Sequence, residues 1–345
     1  ADTRFTSGES RELYAFDDGE PTRRRVAGGE SRTLGLFAEA SIPLGQLTLS
    51  GGGRIDHWRI SDGQLIERPI GGEPSRIDLY RARSGWRPTA RAGAVYDLGE
   101  GVSLRSAAYL GWRWPTLNEL FRPLRAGAVA TAANPLLDPE RLAGAETGLR
   151  YDSDGLTLSL SGFLNRLSDS IANVTLGHGP GTFPGVGFVA GDYRQRQNID
   201  AVKVRGLEAS GELRRRQWSL RLGASYNDAR VQASGAAARL DGLRPAQTPK
   251  LSLSGELGWS DGAKAASLAV RHVGAQYEDD LNSMRLPPAT TVDAFFAWPL
   301  TGRMQLIARG QNLLGERVVA GIDDDGIVER ATPRTLWIGL RIGAF

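Results

Sequence analysis

Apolar and polar residues alternate along most of the chain. Residues 156–161 read Leu-Thr-Leu-Ser-Leu-Ser, and residues 218–227 place Trp, Leu, Leu, Ala and Tyr at every second position. A period of two indicates β-strands, and no stretch shows a convincing helical period. Strands of about ten residues with one apolar face and one polar or small face are typical of a transmembrane β-barrel.

The pattern predicts antiparallel strands whose connections alternate between short and long. We expect thirteen strands, at about 31–42, 46–57, 86–97, 102–112, 144–152, 156–166, 204–214, 218–228, 249–260, 265–275, 290–299, 303–313 and 334–345. Short turns are expected near 43–45, 98–101, 153–155, 215–217, 261–264 and 300–302, and long loops near 58–85, 113–143, 167–203, 229–248, 276–289 and 314–333. This asymmetry is typical of outer-membrane barrels, whose short turns are periplasmic.

Three of the short turns contain residues that tolerate a positive φ angle. They are Asp154-Gly155, Asp261-Gly262 and Thr301-Gly302. Such residues are common in tight hairpin turns.

The start of the chain differs from the rest. Residues 1–30 are polar and mixed in charge, with no secretory signal peptide, and we interpret them as an extracellular loop before a barrel portion at 31–345. The first and last predicted strands both descend from the long-loop side, so the strand number is odd. Self-contained bacterial barrels have an even number, which predicts that earlier strands are missing. The alternative is one missed or invented strand, for instance within 58–85 or 167–203.

The composition excludes several classes of protein. The 345 residues include 42 Lys and Arg and 39 Asp and Glu, which argues against a nucleic-acid partner. No apolar run approaches the roughly 18 to 20 residues of a membrane-spanning helix. The chain has no cysteine, which removes disulfides, thiolate zinc sites and cysteine nucleophiles.

Candidate chemistry is sparse as well. The three histidines, His57, His178 and His272, lie far apart, and no Ser-His-Asp arrangement or metal-ligand cluster stands out. We therefore expect no catalytic residue, no metal site and no cofactor. The acidic runs Asp279-Asp280 and 323–325 are interpreted as exposed turns rather than calcium sites, because their spacing does not match an EF-hand loop.

One segment carries a recognisable signature. Residues 112–121 (Trp-Arg-Trp-Pro-Thr-Leu-Asn-Glu-Leu-Phe) and 134–141 (Asn-Pro-Leu-Leu-Asp-Pro-Glu-Arg) resemble the mid-barrel signature of TonB-dependent outer-membrane receptors. Four further features are similar to that family: residues 204–208, residues 243–249, residues 311–314 and a last strand closing on Phe345. The resemblance implies the C-terminal part of a 22-stranded barrel in a Gram-negative outer membrane. The family's plug domain and its TonB-contacting segment are not visible in this sequence.

Most of the signature has a structural interpretation. Pro115, Pro135 and Pro139 lack a backbone donor and interrupt strand pairing where a strand becomes a loop. We expect Glu119, Asn134 and Glu140 to hold the base of the loop through local hydrogen bonds.

The resemblance also implies a function. The family imports scarce, large ligands with energy from TonB, which would be reached through the missing N-terminal segment. We expect a ferric siderophore first and cobalamin or an oligosaccharide next. Haem is least expected because residues 117–133 contain no histidine to bind its iron. Outer-membrane lipid is the other expected partner.

Arginine and aromatic residues in the long loops are the candidate ligand surface. They are Arg113, Trp114, Arg122, Arg125, Tyr193, Arg194, Arg196 and Tyr277. These residue types suit anionic, planar iron chelates through charge-assisted hydrogen bonds and stacking. The alternative is that they solvate the rim and form an interfacial aromatic girdle.

Three other functions stay open at this point. A passive porin-like channel shares the strand periodicity and the loop asymmetry. An outer-membrane hydrolase would need a nucleophile, a base and an orienting group close together. A soluble propeller or sandwich would need a repeat period or inward patterning, neither of which is visible in the sequence.

Overall fold

The computed structural model describes residues 1–323 and 326–343. This part of the chain is almost entirely strand. The strands are β1 Asp2–Asp17, β2 Glu20–Leu44, β3 Leu47–Pro69, β4 Arg76–Tyr80, β5 Arg83–Gly99, β6 Val102–Arg113, β7 Leu124–Ala126, β8 Val129–Ala132, β9 Glu140–Ser153, β10 Leu156–His178, β11 Gly181–Phe183, β12 Gly187–Val189, β13 Asp192–Arg215, β14 Trp218–Gln232, β15 Leu251–Asp261, β16 Lys264–Val273, β17 Gln276–Tyr277, β18 Arg285–Leu286, β19 Ala289–Thr301, β20 Met304–Gln311, β21 Val319–Ile322, β22 Val328–Arg330 and β23 Thr335–Ile342. The helices are α1 Leu117–Phe121 and a 3-10 helix at Gly235–Leu240.

The long strands form one antiparallel meander. Each pairs with the next along the chain, in the order β1, β2, β3, β5, β6, β9, β10, β13, β14, β15, β16, β19, β20 and β23. All thirteen predicted strands are confirmed as members of this sheet. Within residues 1–323 and 326–343, β1 and β23 do not pair with each other, so the sheet is an unclosed part of a barrel.

The interpretation of residues 1–30 as a loop differs from the structure. Residues 2–17 pair with residues 20–35 in a hairpin whose tip is Asp18-Gly19, with φ angles of 48° and 82°. The hairpin lacks alternation because both of its faces are polar, whereas ladder hydrogen bonds form regardless of side-chain polarity. The strand missing from the prediction is therefore β1.

The predicted long loops are shorter in the structure for the same reason. Three strands continue past their predicted boundaries on the long-loop side. β3 extends to Pro69, β10 extends to His178, and β13 already begins at Asp192. The loss of hydrophobic alternation marks where the strands leave the apolar zone, not where they end.

Short turns occur at all six predicted places. They connect β2–β3, β5–β6, β9–β10, β13–β14, β15–β16 and β19–β20. Gly155 and Gly262 have the expected positive φ, at 72° and 60°. The turn at Thr301-Gly302 is also present, but Gly302 does not adopt a positive φ, and the pairing of β19 with β20 shifts between Pro299 and Thr301.

Strand register aligns the apolar residues on one face, which we call the outward face. Leu104 lies opposite Leu149, and Leu149 lies opposite Leu160. The outward face extends to β23, where Ile338 is 80% exposed. Aromatic residues of the outward face near the short turns are Tyr96, Tyr151, Trp218, Trp259 and Trp298. A lipid-facing apolar band bordered by an aromatic girdle has this arrangement.

The other face of the sheet carries ion pairs. Arg54 pairs with Asp56, and Arg221 lies 3.3 Å from Glu256. A polar inner face is typical of a barrel lumen. Among the described residues, no helix has the length and apolar character needed to cross a membrane.

The buried core lies at the long-loop end of the sheet. One cluster consists of Trp58, Ile60, Leu120, Phe121 and Leu137. A second consists of Val174, Ile199, Val231, Ala237 and Leu240. The sheet thus buries side chains where loops fold over it. The prediction that the last strand closes on Phe345 lies outside the described residues.

Candidate ligand-binding rim

We call residues 113–140 the motif segment. Its two ends lie side by side, because Arg113 ends β6 and Glu140 begins β9 directly opposite it. The Arg113 guanidinium donates to Glu140 and, at 3.0 Å, to each carboxylate oxygen of Glu119. Glu140 is only 5% exposed, and its Oε1 accepts a hydrogen bond from the Ile171 N–H at 2.7 Å. One guanidinium and one carboxylate therefore connect β6, α1, β9 and β10.

Helix α1 starts with a capping box. Thr116 Oγ1 accepts from the Glu119 N–H at 3.2 Å, and Glu119 Oε2 accepts from the Thr116 N–H at 2.7 Å. Pro115 precedes the cap, where its missing donor leaves no hydrogen bond unmade. Burial alone would raise the pKa of Glu119, but hydrogen bonds from Arg113 and Thr116 outweigh it and hold that pKa below its ordinary value.

The helix buries its apolar side against β3. Leu120 and Phe121 pack on Trp58 and Ile60, and Trp114 stacks on the Trp58 ring at 5.5 Å. Gly63 of β3 lies so close to the Phe121 ring that any Cβ atom there would collide with it. The aromatic residues of the motif segment thus hold α1 on the inside of the sheet.

The second half of the motif segment is tied to β13. Asn134 donates to the Arg196 carbonyl at 3.0 Å and accepts from the Leu136 N–H at 3.0 Å. Asn198 accepts from the Asp138 N–H at 2.8 Å and donates to the Asp138 carbonyl at 3.0 Å. The loop base is therefore fastened by side-chain amides, which replace the ladder bonds that its prolines cannot make.

Sequence reasoning missed two residues of this arrangement. Arg83 donates to the carbonyls of Pro135 and Leu137. Asn198 donates to the carbonyl of Asp138. Leu137 and Pro139, on either side of Asp138, are almost fully buried. No local pattern marks Arg83 or Asn198, since their partners lie more than 50 residues away.

Like Arg113, the other four candidate ligand arginines have internal partners, and Arg194 pairs with Asp192 at 3.3 Å. Arg122 pairs with Glu12, and Arg196 donates to the Asn118 and Arg122 carbonyls at 2.8 Å each. Arg125 donates to the Val186 and Phe188 carbonyls at 3.1 and 2.7 Å. Their charged groups are therefore engaged in holding loops together in this structure.

The candidate aromatic residues are also packed against the protein. Tyr193 is buried and stacks on Phe183, with ring centroids 4.7 Å apart. Tyr277 lies under the Arg244 guanidinium at 5.6 Å. The structure does not bring the eight candidates together at one surface.

A cavity of about 650 Å³ opens between the loops, and we call it the rim cavity. The β7–β8 hairpin, the upper parts of β10 and β13, and the loops around 278–284 and 321–329 surround it. Of the eight candidates, only Arg194 lines it, and the other described charged groups there are Glu278, Asp323 and Glu329. The described lining is therefore more negative than positive.

Glu278 is the notable member of this lining. Its Oε1 accepts from Gln247 at 3.0 Å, while its buried Oε2 has no hydrogen-bond partner among the described residues. A buried carboxylate oxygen without a partner is costly, which makes it a candidate contact for a donor or a cation. Sequence reasoning missed Glu278 and Glu329 because they lie about 50 residues apart, and no sequence motif relates two residues at that distance.

The acidic pair beside Glu278 organises its loop. Asp279 accepts from the N–H groups of Ser283 and Met284 at 3.0 and 2.8 Å, and Asp280 accepts from the Thr175 N–H at 3.1 Å. Burial would raise the pKa of Asp279, but the donors from Met284 and Ser283 outweigh it and keep that pKa below its ordinary value. Over residues 1–323 and 326–343, no group of three His, Cys, Asp or Glu side chains could hold a metal ion. Asp324 and Asp325 lie outside the described residues.

Comparison with known proteins identifies the family. The sequence profile of the family described as "TonB dependent receptor-like, beta-barrel" matches residues 2–313. The chain belongs to this family. The predicted membership in the TonB-dependent receptor family and the all-β, outer-membrane type of barrel fold are thereby confirmed. No match was found among curated proteins.

Solved structures of TonB-dependent receptors resemble the chain closely in fold. The ferric yersiniabactin uptake receptor FyuA from Yersinia pestis superposes with a TM-score of 0.75 at 18% identity, over 99% of this chain and 50% of that one. The ferric-catecholate import receptor Fiu from Escherichia coli K12 gives 0.73 at 16% identity, over 99% and 51%. The copper transporter OprC gives 0.70 at 18% identity, over 99% and 56%. The chain spans about half the length of these receptors.

Proposed function

We propose that this TonB-dependent receptor barrel belongs to an outer-membrane importer of a scarce metal chelate, with a ferric siderophore as the first candidate. Its energy would come from TonB, contacted by a part of the receptor outside this chain. The observation that carries the proposal is the rim cavity, because about 650 Å³ lies within the range of small-molecule sites. FyuA and Fiu, which share the fold, are receptors for ferric chelates by name.

The charge of the rim cavity narrows the choice of ligand. We infer that the chelate presents neutral or cationic groups to Glu278 and Glu329, rather than the anionic face expected from the loop arginines. Those arginines are occupied internally, whereas the Glu278 Oε2 atom has no protein donor among the described residues. A donor or cation on the ligand would satisfy that oxygen in a site partly shielded from water.

We further infer that the receptor works by recognition and passage, without covalent chemistry. The alternative, a passive porin-like channel, has the same strand pattern and differs in energy dependence. Uptake that continues without TonB would support the channel and overturn the receptor.

The experiment is uptake of radioactive ferric siderophores by cells that make the complete receptor, with and without TonB. We expect TonB-dependent uptake, reduced at least tenfold by Glu278→Gln with Glu329→Gln, since the loss of even one charge-assisted hydrogen bond of about 1.5 kcal/mol corresponds to a factor of about ten. The matched control is Glu73→Gln with Glu100→Gln, which removes two carboxylates outside the cavity lining. Equal uptake by both double variants would contradict the assignment of the cavity.

A further inference from the structure

The outward face changes from apolar to cationic at the same height on adjacent strands. The basic residues at this change are Arg166 on β10, Lys203 and Arg205 on β13, Arg230 on β14 and Lys250 just before β15. We call these five residues the cationic cluster. Below them, toward the short turns, the outward face carries leucines such as Leu158, Leu160 and Leu207, all well exposed.

Strand register places like charges against each other in this cluster. Arg166 lies directly opposite Lys203, and Lys203 lies directly opposite Arg230. Like charges at directly opposed positions of a sheet are destabilising. The sheet therefore carries a row of three cations whose repulsion favours an anion bound between them.

One carboxylate serves most of the cluster. Asp228 lies 3.0 Å from Arg205, 3.2 Å from Arg230 and 3.7 Å from Lys250. Among the described residues, Arg166 donates only to neutral oxygens, those of Ser168 and Gln232. Lys203 is exposed and has no hydrogen bond or ion pair within residues 1–323 and 326–343. The cluster thus keeps a clear excess of positive charge.

The cations surround a depression of about 400 Å³ on the outward face. Its floor includes Ala143 and Leu164. Its charged edge consists of four cations and one carboxylate, namely Arg166, Lys203, Arg205, Arg230 and Asp228. An anionic group the size of a phosphate fits among such donors, and arginine binds phosphate oxygens in a bidentate manner.

An apolar groove of about 860 Å³ adjoins the depression on its membrane side. The two share Leu164 and Arg205, and the groove continues past Leu207 and Tyr226 over a floor that includes Ala108. Hydrocarbon chains beneath a bound phosphate would lie along this groove and bury its apolar surface.

The height of the cluster agrees with a lipid headgroup. Leu207 and Tyr226 face each other in one row, and Arg205 and Asp228 face each other two residues farther outward. Exposed tyrosines mark the boundary between hydrocarbon and headgroups in membrane barrels. Two residues of strand add about 7 Å, which brings the cations to the level of the phosphates.

We propose that the cationic cluster binds the phosphate of a multiply acylated lipid in the outer leaflet, with acyl chains in the adjoining groove. This lipid site rests on one part of the proposed function, namely that the sheet lies in the outer membrane with its long loops outside the cell. It is separate from the rim cavity, because the two sites share no lining residue.

The test is native mass spectrometry of the complete receptor in detergent, titrated with hexa-acyl diphosphoryl lipid A. We expect Lys203→Gln with Arg205→Gln to weaken binding about 10- to 30-fold, from about 1 kcal/mol for each basic residue near a membrane surface. Lys203→Gln alone, which removes no ion pair, should weaken it about fivefold. Filling the groove with Ala108→Leu and Ala145→Leu should also weaken binding several-fold.

The matched control is Arg214→Gln with Arg215→Gln at the other end of β13. This pair, like the tested pair, combines one ion-paired cation with one that has no ion pair among the described residues. Weakening as large as that in the tested pair would overturn the proposal, and so would displacement of the lipid by inorganic phosphate at 10 mM. Ferric siderophore uptake by the Lys203/Arg205 variant, measured separately, should stay at the wild-type level, so failure of the lipid site and failure of the receptor function are distinguishable.

Discussion

The motif segment and the rim cavity lie on the same rim and are built in opposite ways. The motif segment buries Leu120 and Phe121 on β3 and closes its base with the Arg113–Glu140 pair. The rim cavity is bordered by several strands of only two to four residues, together with the outer ends of β10 and β13, and leaves the Glu278 Oε2 atom without a partner among the described residues. The comparison teaches that the part with a family signature supports the barrel, whereas the part without one is open to a ligand.

The largest expected effect comes from the apolar side of the motif segment. Phe121→Ala should lower the free energy of local opening of α1 by about 3–5 kcal/mol, because it empties a packed site against Trp58 and Ile60. Hydrogen exchange of residues 116–121 in the complete receptor measures this. Phe188→Ala is the control, since Phe188 is 62% exposed. A similar loss of protection of α1 in that variant would show that the packing of Phe121 does not stabilise α1 separately.

The charged base of the motif segment should come second. Glu140→Ala removes the acceptor of the part-buried Ile171 N–H and one partner of Arg113, and should cost about 2–3 kcal/mol of local stability. Exchange should rise together in α1 and at the start of β9. Glu146→Ala, an exposed position on the same strand, should leave exchange unchanged. Unaltered exchange in α1 after Glu140→Ala would contradict the interpretation that α1 and the start of β9 are stabilised by the same charged base.

A smaller change separates the two regions directly. Asp280→Asn weakens the link between the 278–284 loop and Thr175 of β10, and should lower protection there by about 1–1.5 kcal/mol. Protection of α1 should not change. Asp62→Asn, at an exposed position in β3, is the control. A loss of protection in α1 after Asp280→Asn would mean that the two regions open as a unit.

Acid should affect both regions modestly and in the same direction. The pKa values of Glu119 and Asp279 are lower in the folded protein than in the unfolded chain, so their contribution is present above the unfolded values of about 4 and is lost as pH falls through the folded ones. The protection of both regions, corrected for the intrinsic pH dependence of amide exchange, should therefore fall below about pH 4. Glu119→Gln should flatten this pH dependence in α1 while leaving the 278–284 loop unchanged.

Much of the fold could be predicted because one physical signal repeats along the sheet. Lipid on one face and water on the other impose the period of two, and tight turns impose Gly155 and Gly262. The signal disappears where both faces are wet. That is why β1 and the outer ends of β3, β10 and β13 were assigned to loops.

The site could be predicted less well, for a different reason. Arg113, Glu119 and Glu140 interact within one segment, so their residue types and spacing were informative. The lining of the rim cavity comes from parts of the chain as distant as residues 124 and 329, and only the folded rim brings them together. Residue type alone placed the loop arginines at a ligand surface, whereas in the structure Arg125 and Arg196 donate to backbone carbonyls.

The β1–β2 hairpin offers a practical handle on this molecule. Its tip at Asp18-Gly19 stands at the end of the ladder that joins residues 2–17 to residues 20–35, and the tip itself is exposed. Exposed tips of this kind accept inserted residues with little cost to the fold. A peptide epitope spliced between Asp18 and Gly19 should therefore be displayed beyond the long-loop side, where an antibody added to intact cells would report which way the sheet faces.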